Sequence, residues 1–182
     1  MDTKPNPPSR DRILLVDERD RPLRFDDKIP AHERATLHRA FSIFIFDGKG
    51  RMLLQLRSRK KAAFGGLWTN ACCGHHYETF AERPLADAAA ARLPEEFGFS
   101  ANLRELFTFT YRAQDPESRF IEHEFDHVFV GTFDGRPAPN PDEIDDFRYV
   151  EPAALVREME AAPARYSPWF KLSVARVLDE VA

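Results

Sequence analysis

In WTNACCGHH, Trp68 to His76, two cysteines precede two histidines with one glycine between the pairs. Thiols and imidazoles placed this way can hold a metal, form a redox pair or move protons. A structural zinc with thiolate ligands needs a second pair at finger spacing, and the sequence has none. A bridge between the neighbours Cys72 and Cys73 would close no useful loop, so both are read as thiols in a reducing compartment. If Ala71 to His75 is extended, side chains two apart share a face: Cys73 and His75 point one way and Cys72 the other. Only one cysteine then enters a site. Cys73 there is either an acid or base, or a buried inert filler of the kind free cysteines often are.

The same period governs IEHEFDH, Ile121 to His127, where apolar neighbours predict a strand. Glu122 and Glu124 share one face, and His123 and His127 the other. Paired carboxylates of this kind are either a solvated strand face or, if buried, a site that needs a cation or a proton between them. With His32, His38 and His75 they would form a nitrogen and oxygen shell suited to Mn, Zn, Fe or Mg, although spacing alone does not assemble it. Basic residues cluster at Arg57, Arg59, Lys60 and Lys61. That cluster is either a solubilising loop or one wall of a diphosphate pocket, to which Arg92 could add a fixed donor fork. Tyr111 and Trp169 are core or interface aromatics, or, for Trp169, a π-face for a cation that has no protein partner.

These residues need a scaffold, and 182 residues with 43% hydrophobic and 31% charged content, including 16 Phe, can supply one core without disulfides. The formal net charge of -4 offers no basic footprint for nucleic acid, so an anionic substrate must meet a local cationic pocket. MDTKPNPPSRDR lacks the apolar run of a targeting segment and no later stretch suits a membrane span, so a cytoplasmic protein is expected. Residues 1–12 read as a flexible tail and 13–182 as one domain. The spacing predicts a strand at ILLVD, Ile13 to Asp17, then a polar, Pro-broken connection, RDRPLRFDDKIPAHERATLH, with room for one helical turn. It predicts a hairpin of AFSIFIF and RMLLQLR around DGKG. PLADAAAARLPEEFG is predicted as one amphipathic helix ending at Gly98, with Pro94 disturbing its last turn. Strands LRELFTFTYRA and RFIEHEFDHVFVGTF, a shorter one at FRYVEP, and helices at PAALVREME and SPWFKLSVARVLDEV complete an α+β pattern: a mixed sheet flanked by helices. Oligomeric state is not readable from this pattern.

Taken together, His32, LHRAFS with His38, WTNACCGH, TYRAQDP, the EHE pair and SPW resemble type I isopentenyl-diphosphate isomerase, a family with the Nudix fold. The likeness runs in order from about Ile13 to the last helix. It implies a small-molecule prenyl diphosphate substrate and interconversion of isopentenyl and dimethylallyl diphosphates through a tertiary carbocation. It further implies that Cys73 and Glu124 are the acid/base pair, with Tyr111 beside Glu124 and Trp169 facing the cation. His32, His38, His75, Glu122 and Glu124 match the ligands of one divalent metal (Mn, Zn or Mg). Lys28, Arg57, Lys61 and Arg92 match the diphosphate grip, and Glu96 the residue that helps hold Mg bridged to that diphosphate. The chain departs from the ordinary Nudix hydrolase signature, REUXEEXGU with U apolar. Its ARLPEEFGF keeps Glu95, Glu96 and Gly98 but has Ala91 and Arg92 where Arg and Glu belong. A hydrolase uses clustered carboxylates to carry metal and activate water, so the arginine favours gripping substrate. The competing readings are a Nudix hydrolase of a nucleoside or prenyl diphosphate, which gives Cys73, Tyr111 and Trp169 no task, and a non-enzymatic module that keeps only the fold.

Overall fold

The central strand, β3 (His38–Phe46, HRAFSIFIF), is apolar from Ala40 to Phe46 except at Ser42 because both of its faces are covered. The computed structural model describes residues 10–181. On one side β3 runs parallel to β8 (Ile121–Thr132), with His38 opposite Glu124 and Ser42 opposite Val128. On the other it is antiparallel to β6 (Cys72–His75), with Ala40 opposite His75 and Ser42 opposite Cys73. β4 (Met52–Arg57) returns from β3 through the DGKG turn, where the Asp47 carboxylate accepts the N–H groups of Lys49 and Arg51 and Gly50 takes φ +76. β5 (Trp68–Thr69) and β9 (Ile144–Val150) flank β4, β7 (Arg104–Gln114) extends β8, and β1 (Arg12–Val16) carries β2 (Pro22–Asp27) at the opposite edge. The described residues thus form one nine-stranded mixed sheet.

Alternation along β3 sorts the core into two layers. Phe41, Ile43 and Ile45 pack with Cys72 and Phe129 against Ala89 of α2 (Leu85–Ala90) and Leu93 and Phe97 of α3 (Arg92–Phe97). Phe44 on the other face packs with Phe107 and Val128 against Trp169, Phe170 and Val174 of α5 (Pro168–Val181) and Leu155 of α4 (Pro152–Ala161). Each fully buried phenyl ring contributes about 2 kcal/mol. Gly74 has a packing role: a Cβ there would sit 2.8 Å from the Phe41 ring, so the residue between the Cys and His pairs lets β6 lie flat on β3. The second layer turns polar toward the His38 end of the sheet, where the site lies.

Two segments depart from the expectation. The connection after β1 contains β2, an exposed edge strand paired with β1 from Arg12↔Asp27 to Val16↔Pro22. It has no buried face and therefore no apolar alternation to announce it. α1 (Lys28–Glu33) follows, with Pro30 in the first turn, where its missing N–H costs no helical bond. The run from Leu85 to Gly98 is two helices joined at Ala91 rather than one with a frayed end. Pro94 has no N–H for the Ala90 carbonyl and its ring crowds that carbonyl, so the break falls a turn upstream of the proline. Gly98, at φ +71, ends α3 as expected. Of the tail expected over residues 1–12, residues 1–9 lie outside the described residues, Arg10 is seated against a cavity, and Arg12 opens β1. No described helix is long and apolar enough to cross a membrane.

Candidate active site

At the His38 end of β3, four elements bring a ligand atom each to one point. His32 of α1, His38 of β3, His75 of β6 and Glu122 of β8 place those atoms within 4.8 Å of one another, all buried. The histidines are aimed from behind. His32 Nδ1 lies 2.7 Å from the Lys28 carbonyl and His38 Nδ1 2.8 Å from the Thr36 carbonyl. A carbonyl only accepts, so each Nδ1 carries a hydrogen and each Nε2 faces the cluster, that of His32 lying 3.1 Å from Glu122 Oε2. His38 Nε2 and Glu122 Oε2 are buried without a hydrogen-bond partner. Burial would lower the His75 pKa, but Tyr77, Glu122 and Glu124 around it raise it to about 10. Burial likewise works against a charged Glu122, yet His32 and His75 hold its carboxyl well below the usual range. The cluster calls for positive charge, which a divalent ion supplies. Three imidazoles, a carboxylate and two orphaned polar atoms fit such an ion.

Glu124 stands at the cluster's edge, with Oε1 3.0 Å from His75 Nε2 and 3.7 Å from His38 Nε2. Its other oxygen accepts the Tyr111 hydroxyl at 2.6 Å, a contact made by the β7–β8 register that sets Tyr111 opposite Glu124. Cys73 lines the same cavity of about 240 Å³ as Glu124, Tyr111 and Trp169. Its Sγ accepts from Arg57 Nη1 at 3.2 Å, and burial pushes the thiol up to about 11 against the pull of Arg57. The proton therefore stays on sulfur at neutral pH. Cys72 faces the α2–α3 layer, as strand alternation requires. His123 and His127 leave the site too, the first to the Ala35 carbonyl and the second between Asp20 and Glu105.

Trp169 is locked by residues whose role spacing did not reveal. Its Nε1–H donates to Asn70 Oδ1 at 3.1 Å, and Thr69 and Ser167 hydroxyls meet at 2.8 Å. WTN and SPW therefore clasp each other across β5 and α5. The indole face already carries the Arg57 guanidinium, 5.1 Å from its centroid.

The expected grip residues line the cavity together: Lys28 from α1, Arg57 and Lys61 from the end of β4 and its loop, and Arg92 from α3. Arg59 and Lys60 do not join them; the Arg59 backbone N–H donates to Asp145 and the Lys60 ammonium pairs with Asp142 outside. Lys61 and Arg92 share Glu143, a residue the motif reading missed, although PDEIDD is a visible acidic complement to RSRKK. Tyr77 was missed as well, yet it is two residues from His75 and shares its face. Glu96 is not part of the four-ligand cluster; Arg92 at 2.5 Å and Gln55 at 3.0 Å hold its carboxylate.

The NUDIX domain model matches residues 36–170. A protein named isopentenyl-diphosphate Delta-isomerase 2 in Aromatoleum aromaticum is 46% identical over 172 residues, covering 93% of this chain and 87% of its own. Another of the same activity name in Burkholderia multivorans is 44% identical, covering 91% and 92%. The chain belongs to the isopentenyl-diphosphate Delta-isomerase family. Among solved structures, a Deinococcus radiodurans protein superposes with TM-score 0.69 at 22% identity over 88% of this chain and 96% of that one. A MutT protein from Methanosarcina mazei follows with TM-score 0.56 at 16% identity over 66% and 80%. The domain match gives the Nudix fold, and these likenesses agree with it. In this isomerase-family chain Arg92 lines the cavity.

Proposed function

We infer that the protein interconverts isopentenyl and dimethylallyl diphosphates. The carrying observation is one cavity in which a protonated thiol, a carboxylate with a phenol on it, an indole face and several cations converge. In this reading a proton is added to the terminal methylene of the alkene, leaving a tertiary carbocation, and another leaves the carbon next to the diphosphate-bearing one. Cys73 and the Glu124–Tyr111 pair are the acid/base groups. Which gives the first proton depends on direction. Trp169 and the carboxylate stabilise the carbocation, and the Asn70 bond keeps the indole oriented. Lys28, Arg57, Lys61 and Arg92 hold the diphosphate, for which Lys and Arg donors are suited.

His32, His38, His75 and Glu122, with Glu124 at the edge, would hold one divalent ion. Three nitrogens favour Mn or Zn, with Mg also in the candidate set. Bound there, the ion supplies the positive charge that keeps both carboxylates ionised. Glu96, whose present partners are Arg92 and Gln55, would help hold a second divalent ion, Mg, which would supply positive charge to the diphosphate. The partner in this reading is a small prenyl diphosphate, with neither nucleic acid nor membrane required, and the compartment is the cytoplasm.

The test is proton NMR of the protein with isopentenyl diphosphate, Mg and Mn in deuterated water, with free phosphate assayed in the same tube. Deuterated dimethylallyl diphosphate without phosphate release is the expected result. Phosphate release would make the protein a Nudix hydrolase instead.

A further inference from the structure

We propose that Arg10 is a fifth cation of the diphosphate grip, an assignment that rests on the isomerase reading above. Arg10 lies in the stretch that reads as tail, yet its side chain lines the same cavity as Lys28, Lys61 and Arg92. The chain beside it is anchored: the Asp11 carbonyl accepts the Lys28 N–H at 2.6 Å, joining the approach to β1 to the start of α1. The guanidinium sits 5.7 Å from the centroid of the Tyr77 ring, and Lys28 Nζ sits 5.8 Å from the same centroid. One aromatic side chain thus holds two cations against the cavity wall.

Charge counting gives the group its task. Arg10 pairs with Glu95, and the same Glu95 oxygen also takes Arg92. Across this wall four cations, Arg10, Lys28, Lys61 and Arg92, meet three carboxylates, Glu95, Glu96 and Glu143, so one positive charge is left without a protein counter-charge. The Nε–H groups of both Arg10 and Arg92 are buried with no acceptor. A guanidinium has only donors to offer, so the ligand that satisfies this wall is an anion rich in oxygen, carrying charge on more than one centre. A diphosphate has that form. Arg10 is then a binding residue that positions the substrate, at a distance from the thiol and carboxylate that move protons.

The experiment compares wild type, Arg10→Gln and Arg10→Lys in steady-state turnover of isopentenyl diphosphate and in calorimetric titration with inorganic pyrophosphate. In Arg10→Gln, KM and the pyrophosphate dissociation constant are expected to rise about tenfold, with kcat within about twofold of wild type. Arg10→Lys is expected to recover part of the loss, because the ammonium keeps the charge without the fork. Unchanged KM and pyrophosphate binding in Arg10→Gln would overturn the assignment, as would a fall in kcat with pyrophosphate binding intact. If wild type hydrolyses the substrate instead, the isomerase reading fails, while the pyrophosphate titration still decides whether Arg10 grips a diphosphate.

Discussion

The two ends of the cavity hold ionisable side chains by different kinds of partner. At the His/Glu end, ring nitrogens are pinned by the Lys28 and Thr36 carbonyls and the ligand atoms are buried. At the cationic end, Lys61, Arg92 and Arg10 are held by side-chain carboxylates, the partly exposed Glu143 and Glu95, which an incoming anion must outcompete, and, for Arg92, also the buried Glu96. Backbone acceptors cannot be displaced, so the first end has a fixed geometry. Carboxylate partners can be exchanged, so the second has an adjustable one. Substitutions at the buried end should therefore act on turnover and metal affinity, and those at the cationic end on binding.

The sharpest break of that comparison is Cys73→Ala. Turnover should fall by about 10³-fold while pyrophosphate still binds, as read by steady-state kinetics and titration. Cys72→Ala, on the other side of the same strand, should leave turnover close to wild type. Normal turnover in the first variant, or loss in the second, would put the working thiol on the wrong face. Next in size, stripping divalent ions with a chelator should abolish activity and lower the unfolding temperature. Returning Mn at 100 times its dissociation constant should restore about 2.7 kcal/mol of stability, measurable by thermal unfolding. Trp169→Phe keeps an aromatic face but loses the Nε1–H bond to Asn70. A kcat about tenfold lower, with KM unchanged, is expected.

The smallest effect belongs to Glu143. Burial would raise its pKa, but Lys61 and Arg92 overcome that and pull it from 4.5 to about 2. A folded-state pKa below the unfolded one adds stability that is full above pH 4.5 and is lost as pH falls toward 2. Urea unfolding of Glu143→Gln at pH 6 and pH 3 should accordingly show a smaller loss on acidification than wild type. An identical loss would mean that the carboxylate does not pair with its cations in solution.

Strand periodicity made the faces of the site legible before any fold was known. Cys73 and His75 against Cys72, and Glu122 and Glu124 against His123 and His127, follow from a local rule: adjacent side chains on a strand must point to opposite sides. Resemblance in the motifs supplied the candidates for grip and metal. Other residues had no such local signal. β2 is an exposed edge strand without a buried face, and Asn70 became visible only when α5 brought Trp169 to it. Arg10 sits among polar residues and prolines that look like a tail, and its place depends on Tyr77, Glu95 and the Asp11–Lys28 bond. The sequence places the disturbance by Pro94 in its own turn, whereas the break between the two helices falls at Ala91, a turn upstream.

By itself the sequence determined which atoms could do chemistry here and which way each strand would turn them, because residue type and the two-residue period are local properties. The parallel pairing of β3 with β8, antiparallel β6 on the other side, and α1 folded over the end decided that His32, His38, His75 and Glu122 meet. The packing of α3 and the Glu143 segment against the Lys61 loop likewise decided which cations face the cavity and which face solvent. Those are long-range contacts, set by which buried surfaces fit together across the core, and no window of neighbouring residues contains them.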